Sequence, residues 1–482
     1  MTSILKKALA GFLAALMMFS ATACSTSTED LDETGDTKAQ TQEETDENAQ
    51  YFPDVEKQNY GGETFQMIGW NTDNWYYAEE YSTSTGTQGL LDETIYEANL
   101  LVKEYLNINM AMERSDDGHG VLNKVQPSIM AGDDVYQLCI MHPYQGITGF
   151  ITQNFALDFY ELPAFDMGQP YWNTSVMENL TINGHAYIGM GDLCKYSLNI
   201  LYCNKDLLKD ANMKVPYDLV RNGAWTLDQF TSMTTGLYAD NGDGNRNNLD
   251  VYGFASIWDA NAAAFLEASD LYVVTRNQEN QFELNFYSDR FVELYDHILS
   301  WTQSEDVYIW GYGDRGDASI YIDFLENRSY FTLANLGTQY LDASFAVGIL
   351  PLPKYDASQA SYAHVNWGNN LIVPGTVQNK DMVGQTLELM SYYSMTKVRT
   401  KYYDEVLQLR ASEAPDDREM VELISDTVVF DPGIAYCDGN TSLFNLVYIL
   451  ALPIVGGNTN IASYYKQNNR AAQKKLNNLF KQ

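Results

Sequence analysis

Trp70, Asp73, Trp75, His142, Tyr144, Asp192, Trp258, Asp259, Asn335 and Trp367 are the residues of this chain best equipped for non-covalent recognition. Each falls at the carboxyl end of a segment that reads as a β-strand, or where the chain crosses between groups of such segments. Open α/β sheets take their ligands at that end. Indole and phenol rings offer flat apolar faces with a polar tip. Aspartate, asparagine and histidine beside them supply fixed hydrogen-bond partners. Together these groups suit sugar faces or peptide side chains. Any one of the tryptophans also serves well in a core, as Trp225 is read to do; the set carries more than its members.

Two other chemistries stay open. The chain has 64 acidic residues, and two opposed carboxylates suffice to hydrolyse a glycosidic bond. No nucleophile elbow, HExxH, Walker loop or GxGxxG occurs, and the five histidines are scattered. The stretch from Asp240 to Gly253, DNGDGNRNNLDVYG, resembles an EF-hand-like calcium loop. Asn241, Asp243, Asn245 and Asp250 would give oxygen ligands around a sharp turn at Gly244, with a closing carboxylate for structural Ca2+. The first ligand position would be Ala239, and the last is Asp in place of Glu. An ordinary Asn/Asp/Gly turn is the competing reading.

Composition bounds the rest. The chain has 482 residues, a formal charge of −35 and a pI near 4.3. Such acidity argues against nucleic acid, which needs a basic footprint. Lys6-Lys7, an apolar run from Ala8 to Phe19 and small residues before Cys24 read as a secretory signal peptide over 1–23. The ending before Cys24 resembles a bacterial lipobox, with Ala21 where leucine is commoner. That resemblance implies cleavage before Cys24 and lipidation of its sulfur. Residues 24–57 are polar and acidic, unable to bury enough surface to fold, and read as a disordered linker. Beyond it about 420 residues remain, suited to two lobes of about 200 each. Cys139, Cys194, Cys203 and Cys437 match no zinc spacing; buried thiols are the default, with a Cys194–Cys203 disulfide as the alternative.

The elements that would position these residues alternate between strand and helix. Strands are expected over 63–69, 108–112 and 135–141, with helices over 92–106 and 123–130 between them. This implies parallel βαβ units. The pivot of the chain is 183–208, NGHAYIGMGDLCKYSLNILYCNKDLL. Asn183-Gly184 is a turn signal, apolar runs at 186–190 and 198–203 read as strands, and Asn204 caps a helix. Asp192, between the runs, is expected to face a cleft where the chain changes lobe. Thr226 should cap a helix to Leu237. Strands follow at 254–257, 330–334 and 371–373, helices at 291–300, 318–327 and 382–394. Further helical packing is expected over 423–429 and 443–450, and an exposed amphipathic helix over 471–480.

Several segments match motifs in a known order. Asp133 to Leu138 resembles an AG-x-D-x-Y-D segment, with Gln137 for the acid. LTINGHAY at 180–187 resembles NGK-x-Y, with His185 in the Lys place; LYCNKDLL at 201–208 resembles Y-x-NK-x-L. Ala224 to Phe230 matches WT-x-x-x-F, Asp240 to Phe254 matches DNGDG…D-x-YGF, and Ile349 to Lys354 resembles LP-x-P-K. In this order the chain beyond Tyr60 resembles the bacterial extracellular solute-binding lipoproteins of family 1, carbohydrate type, the substrate receptors of ABC importers. The resemblance implies an α/β, two-lobed periplasmic-binding-protein-like (type II) fold with hinge crossings near Asp192, 357–367 and 395–404. It divides the chain into lobe 1 (58–192 and 358–402) and lobe 2 (193–357 and 403–482). It implies a monomer without enzymatic activity, lipid-anchored on the outer face of the membrane, closing on an oligosaccharide and serving an ABC permease. A glycan-acting hydrolase and a ligand-sensing lipoprotein for another membrane partner are the alternatives.

Overall fold

Gly61 and Gly62 both take positive φ, 65° and 83°, a conformation that costs glycine nothing, and turn the chain into its first strand. The structure, a computed structural model, describes residues 48–70, 90–115, 120–194, 197–258, 260–310, 322–336, 343–401 and 415–481. The signal segment, Cys24, most of the linker, Asp73, Trp75 and Asp259 lie outside the described residues.

In chain order the described strands are β1 Glu63–Trp70, β2 Ile108–Ser115, β3 Leu138–Met141, β4 Asn199–Asn204, β5 Tyr252–Ile257, β6 Val274–Arg276 and β7 Phe282–Leu284. They continue with β8 Val307–Trp310, β9 Ser329–Asn335, β10 Val347–Leu350, β11 His364–Val365, β12 Asn370–Ile372 and β13 Val428–Val429. One sheet has the order β12-β3-β1-β2, the other β10-β4-β9-β5-β8. In the first, β1 runs parallel to both β2 and β3, with helices Leu90–Leu106 and Gly120–Ala131 as the crossovers. β3, LCIM, is buried along its whole length, as a strand covered on both faces must be. β12 closes this sheet antiparallel to β3. The second sheet is mixed: β5 is parallel to β8 and β9, and β4 is antiparallel to β9 and β10. Each sheet is the centre of one lobe.

Three short stretches run side by side between the lobes. Leu198 bridges Asn366, β11 pairs with β13, and the Trp367 N–H donates to the Ser197 carbonyl (3.0 Å). Of the crossing expected at 395–404, residues 402–404 lie outside the described residues. The helix Lys380–Tyr393 continues as a π-turn, Ser394–Arg399, packed in lobe 1, and 428–429 supplies the third hinge strand.

Other expectations shift for local reasons. Residues 186–190 make only single bridges, such as Gly189 to Leu371, so no strand forms there. Of the helix expected over 318–327, the described part is Ile322–Leu325. The C-terminal helix is longer than expected, Ile461–Leu479, and docked, with Ile461, Ala472, Leu476 and Leu479 buried. The helix Ala260–Ala268 and the β6–β7 hairpin have no counterpart in the sequence reading. The four remaining cysteines are buried and none is in a disulfide.

Candidate functional site

β1 ends on Trp70 and β3 on Met141. Their parallel pairing, Gly69 opposite Ile140, brings Trp70 beside the 142–145 turn. Gln145 holds that turn shut: its N–H donates to the His142 carbonyl (2.9 Å) and its Oε1 accepts the His142 N–H (2.7 Å). Trp70 and Tyr144 then meet nearly at right angles, 82° with centroids 5.7 Å apart. Both are partly exposed, so two aromatic walls form a corner. His142 backs the corner, 4.2 Å from Tyr144. Burial pulls its imidazole down to about 3, against a hydrogen bond to the Trp367 backbone that acts the other way, so the ring is neutral and acts as a spacer.

Trp367 arrives from the hinge strand β11. Asn366 Oδ1 accepts the N–H groups of Ser197 and Gly368 (both 2.9 Å), fixing the approach. The Trp367 ring meets Tyr448 edge-on at 5.4 Å, and Tyr448 stacks on Phe444 at 4.3 Å. The Trp367 Nε1, Asn370 Oδ1 and Gln145 Nε2 atoms are buried and have no hydrogen-bond partner among the described residues. Buried polar groups are rarely left so, and Asn370 lines a cavity together with Pro143, Met190, Asn366 and Asp431. Asn335 ends β9, half-buried, paired in register with Asn199 of β4. The next residue, Leu336, donates its N–H to Leu198 (2.7 Å), so Asn335 stands beside the hinge strand that holds Trp367.

The structure therefore gathers Trp70, His142, Tyr144 and Trp367, with Asn335 along the same hinge strand. It corrects one other expectation, Trp258, and gives Asp192 a protein partner. Trp258 is a core residue, 1% exposed. Its ring stacks on Phe265 at 5.9 Å and meets Trp301 and Phe254, while its N–H donates to the Leu450 carbonyl at 2.9 Å. No ring face is left for a ligand. Asp192 pairs with Arg399, whose Nη1 lies 2.8 and 3.0 Å from its two carboxylate oxygens. Burial raises the Asp192 pKa and Arg399 opposes it; the carboxylate ties the pivot to the end of the helical segment 380–401.

The 240–250 loop is held together by hydrogen bonds of its own. Asp250 is fully buried and faces the N–H groups of Asn241 and Asn247 and the hydroxyls of Tyr238 and Tyr252. Asn241 accepts the Asp243 N–H, and Asp243 accepts from Asn245 and Asn247. Side-chain oxygens of Asn241, Asp243 and Asp250 thus accept hydrogen bonds within the turn. Sequence reasoning missed the locking role of Gln145, and missed Phe444 and Tyr448, whose contact to Trp367 is set by long-range folding. The Asn-rich run 366–370 was the visible signal for Asn366 and Asn370.

No protein-family model and no curated protein sequence matches the chain. Solved structures do. An ABC substrate-binding protein from Listeria monocytogenes in complex with cycloalternan is similar over 86% of this chain and 99% of its own, with TM-score 0.59 and 14% identity. The maltose/maltodextrin-binding domain MalE from Bdellovibrio bacteriovorus bound to maltotriose covers 86% and 100%, TM-score 0.55, at 14% identity. A glycerophosphocholine complex of UgpB from Mycobacterium tuberculosis covers 86% and 99%, TM-score 0.55, at 12% identity. The fold is that of the two-lobed substrate-binding proteins.

Proposed function

We propose that this chain is a solute-binding protein that holds an oligosaccharide or related sugar between its lobes without altering it. The observation that carries the reading is the right-angled corner of Trp70 and Tyr144, next to the buried, unpartnered indole N–H of Trp367 and carbonyl of Asn370. A pyranose has an apolar face for one wall and hydroxyls for neutral donors and acceptors. The sugar complexes among similar folds support the sugar class; the glycerophosphocholine complex marks the chief competitor. The hinge acids favour binding over hydrolysis. Asp192 is paired with Arg399, and Asp431 accepts three backbone N–H groups.

Aromatic and amide groups of both lobes contact a ligand together only when the lobes meet, so the ligand favours closure by that difference in affinity. Delivery to an ABC permease and lipid anchoring through Cys24 at the outer face of the membrane complete the proposal. Among the described residues no helix is long and apolar enough to cross a membrane. A ligand that binds only the folded state raises the melting temperature. A panel of neutral oligosaccharides should contain at least one that does so, whereas a shift with glycerophosphodiesters alone would replace the sugar reading. Cys24→Ser should release the protein from the membrane fraction.

A further inference from the structure

Most of the buried apolar residues of the two lobes form one continuous cluster, and beside it runs a seam of hydrogen bonds from lobe to lobe. Its centre is the end of the short helix Thr174–Leu180 in lobe 1. The last carbonyls of a helix have no partners within it and carry partial negative charge. Here three successive carbonyls are taken up from across the seam. Arg276, at the end of β6, donates to Asn179 (2.8 Å from Nη2, 3.2 Å from Nε) and to Thr181 (2.5 Å). The Tyr436 hydroxyl donates to Leu180 (2.5 Å).

The two donors are bonded into one group. Asp431 accepts the N–H groups of Val273 (2.5 Å), Val274 (3.1 Å) and Gly433 (2.6 Å), so the 431–436 segment is bound to β6. Phe282 of β7 lies under the Arg276 guanidinium at 4.5 Å and against Tyr436 at 5.4 Å. The seam continues to the aromatic corner. The Thr148 hydroxyl donates to the Tyr436 carbonyl (2.9 Å), Asp438 accepts the Thr148 N–H (3.2 Å), and the Gly439 N–H donates to the carbonyl of Tyr144 itself (2.9 Å).

We propose that Arg276 and Tyr436 form an interlobe latch, and that Arg276 is a positioning residue for the candidate site although it is no part of its walls. All the latch groups are protein groups, so the latch stabilises this arrangement of the lobes, which the proposal takes to be the closed one, whatever the cleft holds. The apparent dissociation constant of a receptor that binds in its closed form scales inversely with the closed fraction. The latch therefore sets affinity through that fraction. Hydrogen bonds from a charged donor are stronger than neutral ones, so Arg276 is the larger contributor and Tyr436 the smaller. The inference takes from the proposed function only that the lobes move relative to one another.

The test measures interlobe distance and uses no sugar. Spin labels go at Met130→Cys in lobe 1 and Asp228→Cys in lobe 2, both exposed, in the full chain carrying Cys24→Ser; the other four native thiols are buried. Arg276→Gln should add a long-distance population and raise the radius of gyration, Tyr436→Phe should do so less, and Arg276→Lys should restore part of the short-distance population. If Arg276→Gln fails to fold, Tyr436→Phe decides alone. Distances unchanged in each variant that folds overturn the latch. A sugar panel without a binder would overturn the function proposed above and leave this measurement standing.

Discussion

Trp70 and Trp258 occupy equivalent places in the two lobes and meet opposite fates. Each follows directly on or closes a strand, β1 and β5, that pairs in parallel with its neighbours. Trp70 keeps part of its ring in the open, at right angles to Tyr144. Trp258 is sealed by Phe254, Phe265 and Trp301, and by the Leu450 carbonyl that accepts its N–H. The strand-end rule locates a ring; it does not decide which neighbours return to cover it. In lobe 2 the cover comes from residue 450, nearly two hundred positions later in the chain.

The comparison breaks most visibly at Trp258. Trp258→Ala should lower unfolding free energy by about 3–5 kcal/mol, the cost of a large buried cavity, read as a loss of denaturant midpoint. Trp70→Ala should leave that midpoint nearly in place and weaken sugar binding by about 2 kcal/mol, roughly thirtyfold, in a titration. Equal effects of the two changes on stability would erase the distinction between wall and core. Intermediate in size is the buried acid of lobe 1. Burial pushes Glu388 up to about 7, the Asp166 charge adds to this, and donors from Tyr171, Trp172 and the Asp166 N–H oppose it. Its folded pKa lies above the unfolded value of 4.5. Stability from this group is thus fully present below about pH 4.5 and is lost as pH rises through 7. Glu388→Gln should flatten the stability profile across that window. The smallest effect expected is at the 240–250 loop: chelator should not move the melting temperature, and a clear fall would show a bound ion.

What could be read in the sequence was local. Asn183 and Gly184 both take positive φ, 52° and 86°, as a two-residue Asn-Gly turn requires. Asn204 and Thr226 cap their helices through their side chains. β1, its helix and β2 follow from hydrophobic periodicity. The missed features depend on distant partners. β6 and β7 are three residues each and β13 only two, too short for any periodicity. The Asp192–Arg399 pair joins residues 207 positions apart. Nothing near Tyr448 in the chain announces that it will lie against Trp367. The candidate site was therefore half legible: its strand-end rings could be named, while the parts that cover, lock or engage them come from elsewhere in the chain.

The four enclosed thiols give each region its own clock. Cys139 lies in β3 and Cys203 in β4, one in the middle of each sheet, and Cys437 in the segment that bridges them. Burial raises the pKa of Cys139 and Cys437 well above that of an ordinary thiol, and it is the thiolate that reacts. A mild alkylating reagent will mark each sulfur only when its surroundings come apart. The sequence of marking under slow denaturation will date which half loosens first.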